Sequence, residues 1–238
     1  MWSHTAAAAA LLTPLESEAL WLSLKVAVVG GLASLPFGIA VAWLLARRQF
    51  PGKTLVDVVV NLPLVLPPVV VGYMLLLLFG RRGPLGALLH DYLGVTVIFT
   101  WRGAAIAAAV MAFPLLVRAV RLAIEAVDRR LETAARTLGA GPVRVFFTIT
   151  LPLIAPGILT GAVLAFARSL GEFGATITFV SNIPGETRTL PIAIYSVLQT
   201  PDGEAAALRM VVISVLVSLA ALWLSEYLAT RLVRQREG

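Results

Sequence analysis

Five stretches of this chain, at 18–46, 55–80, 98–122, 156–180 and 205–230, are apolar enough and long enough to cross a bilayer. A spanning helix needs about 20 predominantly apolar residues, and inside hydrocarbon its backbone must close its own hydrogen bonds. No other feature restricts the fold as strongly. Charge usage agrees: 13% of the 238 residues are charged and 59% are hydrophobic, whereas soluble domains carry about 25% charged residues. The expected class is an all-α polytopic membrane protein with about five transmembrane helices.

The net charge of +6 is not gathered into a nucleic-acid stripe, because the basic residues lie in clusters between the apolar runs. One set of loops holds Arg47, Arg48, Lys53, Arg118, Arg121, Arg129, Arg130, Arg136, Arg144, Arg231, Arg234 and Arg236. The opposite set holds only Arg81, Arg82, Arg102 and Arg188. The positive-inside rule makes the first set cytoplasmic, with the N-terminus outside and the C-terminus inside. Five crossings fit that parity. The opening "MWSHTAAAAALLTP" has no Lys or Arg before its apolar run, so it lacks the cationic region of a signal peptide. It reads as an uncleaved periplasmic tail over 1–16, balanced by a cytoplasmic tail over 231–238. The absence of cysteine excludes disulfides, thiolate metal sites and cysteine nucleophiles.

Two segments carry special backbone. The first span is long and is interrupted by Gly30, Gly31, Pro36 and Gly38, which predicts a tilt or a kink. The second contains "NLPLVLPPVVVGY", where Pro63, Pro67 and Pro68 each lack a backbone donor. Pro67 and Pro68 either border a translocation path, as discontinuous helices do in transporters, or form a kink packed by neighbours. Outside the spans, 83–94 and 189–200 are too short to cross, with Pro84 and Pro191 placed for first helical turns. His90 has only the distant His4 for company, so no metal site is expected.

Between the third and fourth spans lies "ETAARTLGAGPVRVFFTITLP" (132–152). Ile124, Val127, Leu131, Ala134, Ala135 and Leu138 recur at steps of three and four, the spacing of one helical face. Glu125 with Arg129 and Glu132 with Arg136 form i,i+4 pairs in the favoured order. Gly139 stands where a helix ends in a left-handed residue, and Pro142 starts a second helix that carries Val143, Phe146, Phe147 and Leu151. Two short amphipathic helices joined by a turn are expected over 125–152. Physics alone allows them to lie on anionic headgroups.

Their spacing adds a second reading. Ala134-Ala135, three residues, Gly139, nine residues and then Ile149-Thr150-Leu151-Pro152 resembles the "EAA" loop of ABC-importer permeases. The family's glutamate falls at Thr133, with Glu132 one place earlier in this chain. The segments "SLPFGIAVAWLLARRQFPGK", "NLPLVLPPVVVGY", "WRGAAIAAAVMAFPLLVRA" and "FARSLGEFGATITFVSNIPGETRTLP" are similar to the molybdate branch of these permeases, related to sulfate permeases. The resemblance covers 17–230 and implies a type I ABC-importer permease (MetI-like) core. It implies that Glu132, Ala134, Ala135, Gly139, Ile149, Leu151 and Pro152 form a loop that docks on a separate ATPase. It also implies an inner-membrane assembly of two permease copies, two ATPases and a periplasmic oxyanion-binding protein. Five helices make a thin wall for a path, which independently favours a homodimer.

No catalytic site is expected in this chain. "PGKT" (51–54) resembles the end of a phosphate loop, but the required first glycine falls on Arg47. ATP and Mg then belong to the partner ATPase. Within the fourth span, Arg168 is one turn from Glu172. A guanidinium at membrane depth either lines an oxyanion path or holds helices together through that carboxylate. Lys25, Arg209 and Glu226 lie near span ends, where they can snorkel. The substrate expected from the resemblance is molybdate, with sulfate or tungstate as the alternative. A stand-alone ion-coupled transporter would call for further buried ionisable groups or a repeat, and neither is visible.

Overall fold

A computed structural model describes residues 12–237, with the side chains of the last helix described to Leu224 and at Tyr227. The elements are α1 (Pro14–Arg47), α2 (Lys53–Val65), α3 (Pro68–Phe79), α4 (Pro84–Leu93), α5 (Trp101–Glu125) and α6 (Arg129–Thr137). They continue with α7 (Pro142–Val145), a π turn at Phe146–Thr150, α8 (Leu151–Leu170), α9 (Gly174–Val180), α10 (Leu190–Leu198) and α11 (Glu204–Glu237). Among the described residues there is no strand. Among the described residues, four helical stretches are long and apolar enough to cross a membrane, and α2 with α3 makes a fifth crossing if the bent pair is one span.

The first segment is one helix that runs through Pro36. It starts at Pro14, inside the expected tail, because Thr13 and Glu16 cap it reciprocally. The Glu16 amide donates to the Thr13 hydroxyl at 3.3 Å, and the Thr13 amide donates to Glu16 Oε2 at 2.8 Å. Residues 1–11 of that expected tail lie outside the described residues. At the other end α11 remains helical to Glu237, so the expected 231–238 tail is largely helix. Glu16 Oε1 also accepts from Arg209 Nε and Nη2, at 3.2 and 2.9 Å, and so joins the starts of α1 and α11. Arg209 is therefore a paired group rather than a free snorkelling one. Lys25 Nζ lies 3.7 Å from the centre of the Trp101 ring, a cation–π contact. The side chain of Glu226 lies outside the description.

α5 is the hub. Ala104, Ala105, Ala107, Ala108 and Ala112 are all buried, and they face α1, α8 and α9. Apolar side chains gain nothing by leaving lipid for one another, so close backbone approach must supply the attraction. Gly30 shows how close: a Cβ there would stand 2.7 Å from the Ala105 carbonyl oxygen. Large apolar groups such as Trp21, Leu32, Phe37, Val58 and Trp223 are left on the outside, as a lipid-facing surface requires.

The expected break in the second span is present, and the bounds of the fourth span are corrected. The second span breaks after Val65, and α2 and α3 meet at 117°. The fourth span runs over Pro142–Leu170 instead of 156–180, in one 29-residue helical stretch. The π turn accommodates an extra residue inside that stretch and joins the expected second amphipathic helix to the span. It ends at Leu170 because the chain turns at Gly171 and Glu172 caps α9: Glu172 Oε1 accepts from the Ala175 amide at 2.8 Å.

Candidate functional site: a docking loop and a crossing of broken helices

α6 begins at Asp128, whose Oδ1 accepts from the Arg130 amide at 2.9 Å. It ends at Gly139, which has a φ of 87°. There the Ala140 amide donates to the Ala135 carbonyl at 3.0 Å, and the Gly139 amide donates to Arg136 at 2.9 Å. This pair of bonds is a Schellman ending, and it needs the left-handed residue that glycine supplies without strain. The turn expected at Gly139 is present.

The apolar face expected from Ile124 to Leu138 divides in two. Ile124 and Val127 are buried, Ile124 as part of α5, whereas Leu131 and Leu138 project from α6, with Leu138 89% exposed. Val143 and Phe147 are also exposed beyond the turn. Leu151 packs against the buried cluster that holds Ile154 and Leu116, while Ala134 and Pro152 are exposed and Ala135 and Ile149 are half-buried. One end of the motif is thus anchored, and the other presents apolar side chains outward.

Neither expected i,i+4 pair forms. Glu125 Oε1 accepts from Arg121 Nε at 2.9 Å, on the opposite side from Arg129. Glu132 turns inward, where its Oε1 accepts from Arg47 Nη2 and from Thr150 Oγ1, each at 2.9 Å. The carboxylate therefore clips α6 to the end of α1 and to the π turn. Surface i,i+4 pairs contribute only about 0.3–0.5 kcal/mol, so the sheltered, charge-assisted bonds of Glu132 displace its pairing with Arg136.

The second part lies where α8 gives way to α9. Arg168 Nη1 is 2.7 Å from Glu172 Oε2; the Glu172 side chain is 2% exposed and that of Arg168 is 28% exposed. Ser169 Oγ donates to the Ala108 carbonyl at 3.4 Å. Ala108 is about 10 Å along α5 from Trp101, at 1.5 Å per residue. The pair sits at the end of α8. A Cβ on Gly174 would stand 2.8 Å from Pro68 Cβ. The α8–α9 break thus meets the α2–α3 break, and Pro68, Arg168 and Glu172 belong to one neighbourhood. Pro67 caps α3 beside it.

Sequence reasoning missed one further polar cluster. Arg121 Nη1 reaches Asp57 Oδ2 at 3.1 Å, and Asn61 Nδ2 donates to Asp57 Oδ1 at 3.1 Å, tying α2 to α5. Asp57 among valines in an apolar stretch was the available signal. Among the described residues no group of three His, Cys, Asp or Glu side chains is placed to hold a metal.

Comparison with known proteins bears on this geometry. The chain is 64% identical, over 96% of its length and 99% of the relative's, to the Molybdenum transport system permease protein ModB of Escherichia coli (strain K12). It is 40% identical over 92% of its length, and 76% of the relative's, to the Sulfate transport system permease protein CysW of Synechococcus elongatus. A solved structure of the MetNI methionine ABC transporter, in an inward-facing conformation, superposes with a TM-score of 0.72. That likeness covers 92% of this chain and 96% of that one at 17% identity, and it speaks for the fold. Residues 34–234 match the family described as binding-protein-dependent transport system inner membrane component. With residues 34–234 matched and the first relative covered over 99% of its length, this chain belongs to that family of inner-membrane transport components.

Proposed function

We propose that this chain is the membrane-spanning permease subunit of an ATP-driven importer that carries molybdate into the cell. The observation that carries the reading is the 64% identity, along nearly the whole length, to a permease named for molybdenum transport. Sulfate is the second reading, supported by the 40% identity to a sulfate permease.

In this account two copies enclose the path, and each engages a cytoplasmic ATPase through 125–152, while a periplasmic oxyanion-binding protein delivers the substrate. The arginine-rich end is cytoplasmic, with the N-terminus outside and the C-terminus inside. ATP and Mg are held by the ATPase. This chain's own residues do not fit them, because position 47 is an arginine engaged with Glu132 where a phosphate loop needs glycine. The exposed Leu131 and Leu138 supply the docking contacts. A push on α6 is passed through Glu132 to Arg47 on α1 and to Thr150 at the base of α8. α8 ends at Arg168, so the same displacement reaches the crossing of broken helices. There Arg168 presents a planar guanidinium suited to a tetrahedral oxyanion.

Co-purification with the ATPase, followed by hydrolysis assays in liposomes with loaded binding protein, tests the reading. Hydrolysis stimulated by molybdate-loaded binding protein is expected. An ATPase that neither binds the chain nor responds to loaded binding protein would reject it.

A further inference from the structure

At the arginine-rich end, the last turn of α1 and the inner side of α6 enclose a cavity of about 280 Å³. Its wall includes Trp43, Arg47, Arg48, Arg129, Arg136 and Glu132. Four guanidinium groups thus face a single carboxylate. Glu132 is already committed to Arg47 and Thr150. The Arg47 side chain is only 9% exposed, and its Nε is buried without a hydrogen-bond partner. Arg129 and Arg136 take part in no ion pair among the described residues, and the Arg48 guanidinium carbon lies 5.5 Å from the centre of the Trp43 ring.

Such an arrangement is costly without an anion. A buried donor left unsatisfied is destabilising, and more so when it is charged. Like charges drawn around a partly enclosed space also repel one another under weak screening. With Glu132 counted, the wall carries a net charge of three positive units, from four arginines and one glutamate. A dianion removes most of that excess and gives the guanidinium forks the acceptor geometry they match best.

We infer that this cavity is a tetrahedral-oxyanion site, separate from the helix crossing at Arg168, that takes either a free oxyanion or the phosphate of an anionic lipid headgroup. Occupied, it joins Arg47 and Arg48 of α1 to Arg129 and Arg136 of α6, a second tie between the docking helix and the first span. The site does not depend on which substrate is imported, so its test stands whether or not molybdate uptake is observed.

Full-length protein in phosphatidylcholine nanodiscs is titrated with inorganic phosphate, sulfate and molybdate by calorimetry and by tryptophan fluorescence. Binding that draws Arg48 alters Trp43 emission, and Trp43→Phe keeps the heat while removing that optical change. The double variant Arg129→Gln/Arg136→Gln is expected to weaken binding about tenfold or more, because it removes two of the four guanidinium groups of the wall. The double variant Arg130→Gln/Arg144→Gln removes the same charge from the same loop outside the cavity and is expected to bind as the parent does. It also controls for folding. Nanodiscs containing phosphatidylglycerol separate the two sources. Unchanged affinity assigns the site to a free oxyanion. Competition, together with phosphatidylglycerol retained in native mass spectra by the parent but not by the Arg129/Arg136 variant, assigns it to lipid. Equal oxyanion affinity and equal lipid retention in parent, variant and control overturn the inference.

Discussion

Replacing Glu172 with alanine removes two contacts at once, an acceptor for the Ala175 amide and the counter-charge of Arg168. Losing a helix-start acceptor costs about 1 kcal/mol. Removing one partner of a fully buried ion pair costs about 3–5 kcal/mol. Arg168 retains 28% exposure and can turn toward water, which lowers that share to about 1–2 kcal/mol. The expected loss is then about 2–3 kcal/mol, and a chain of this size shifts its melting point by about 2–4 °C per kcal/mol. Glu172→Ala should therefore lower the temperature at which half the detergent-solubilised protein aggregates by about 4–12 °C. Glu172→Gln keeps an acceptor oxygen and should lose only about half as much. Arg168→Ala also loses the pair but leaves the Ala175 bond intact. Its main effect should appear in uptake per folded molecule, which we expect to fall well below that of Glu172→Gln. Parental melting of Glu172→Ala would refute the structural half of this argument. Parental uptake per folded molecule in Arg168→Ala would refute the path half.

Gly139→Val forces a branched side chain into a φ of 87° where the turn itself offers free space, so strain of about 1–2 kcal/mol is local to the loop. Membrane levels should stay near normal while ATPase retention and coupled uptake fall in pull-down and transport assays, with Leu138→Ala milder. Gly30→Leu drives a side chain into the Ala105 carbonyl and should cost about 1–3 kcal/mol by overpacking, visible as reduced folded yield in fluorescence-detected size exclusion. Arg47→Ala and Glu132→Ala should each weaken uptake, and their double-mutant cycle in thermal unfolding should return a coupling of about 1–3 kcal/mol; additive effects would remove the clip. A cysteine replacing Ser3 should label from outside, and one replacing Arg136 or Gln235 only from inside; termini that label from the same face would contradict the basic-loop orientation.

Sequence periodicity located the spans because burial in lipid imposes length and apolarity on every crossing. It also located local chemistry. Gly139 is left-handed, Pro84 starts α4, and the residues around Pro67 interrupt the second span, since each outcome depends on neighbours in the chain. Partners distant in sequence were not legible. Glu132 was assigned to Arg136 by helix spacing, yet it binds Arg47, 85 positions away, because that contact is sheltered. The fourth span was placed too late because nothing in "FFTIT" announces a π turn, which lets the helix continue through a segment whose amphipathic pattern looks separate. The break between α8 and α9 was not legible either: α8 stops at Leu170 and Glu172 accepts from the Ala175 amide at the start of α9.

On the proposed function, this permease moves an oxyanion only when a separate ATPase drives its loop. The most direct test is uptake of labelled molybdate into liposomes containing the permease and the ATPase, with binding protein outside and ATP inside. Uptake should require all three proteins and ATP, and excess unlabelled molybdate should suppress it more strongly than sulfate does. Uptake by the permease alone under an ion gradient, indifferent to ATP, would contradict it.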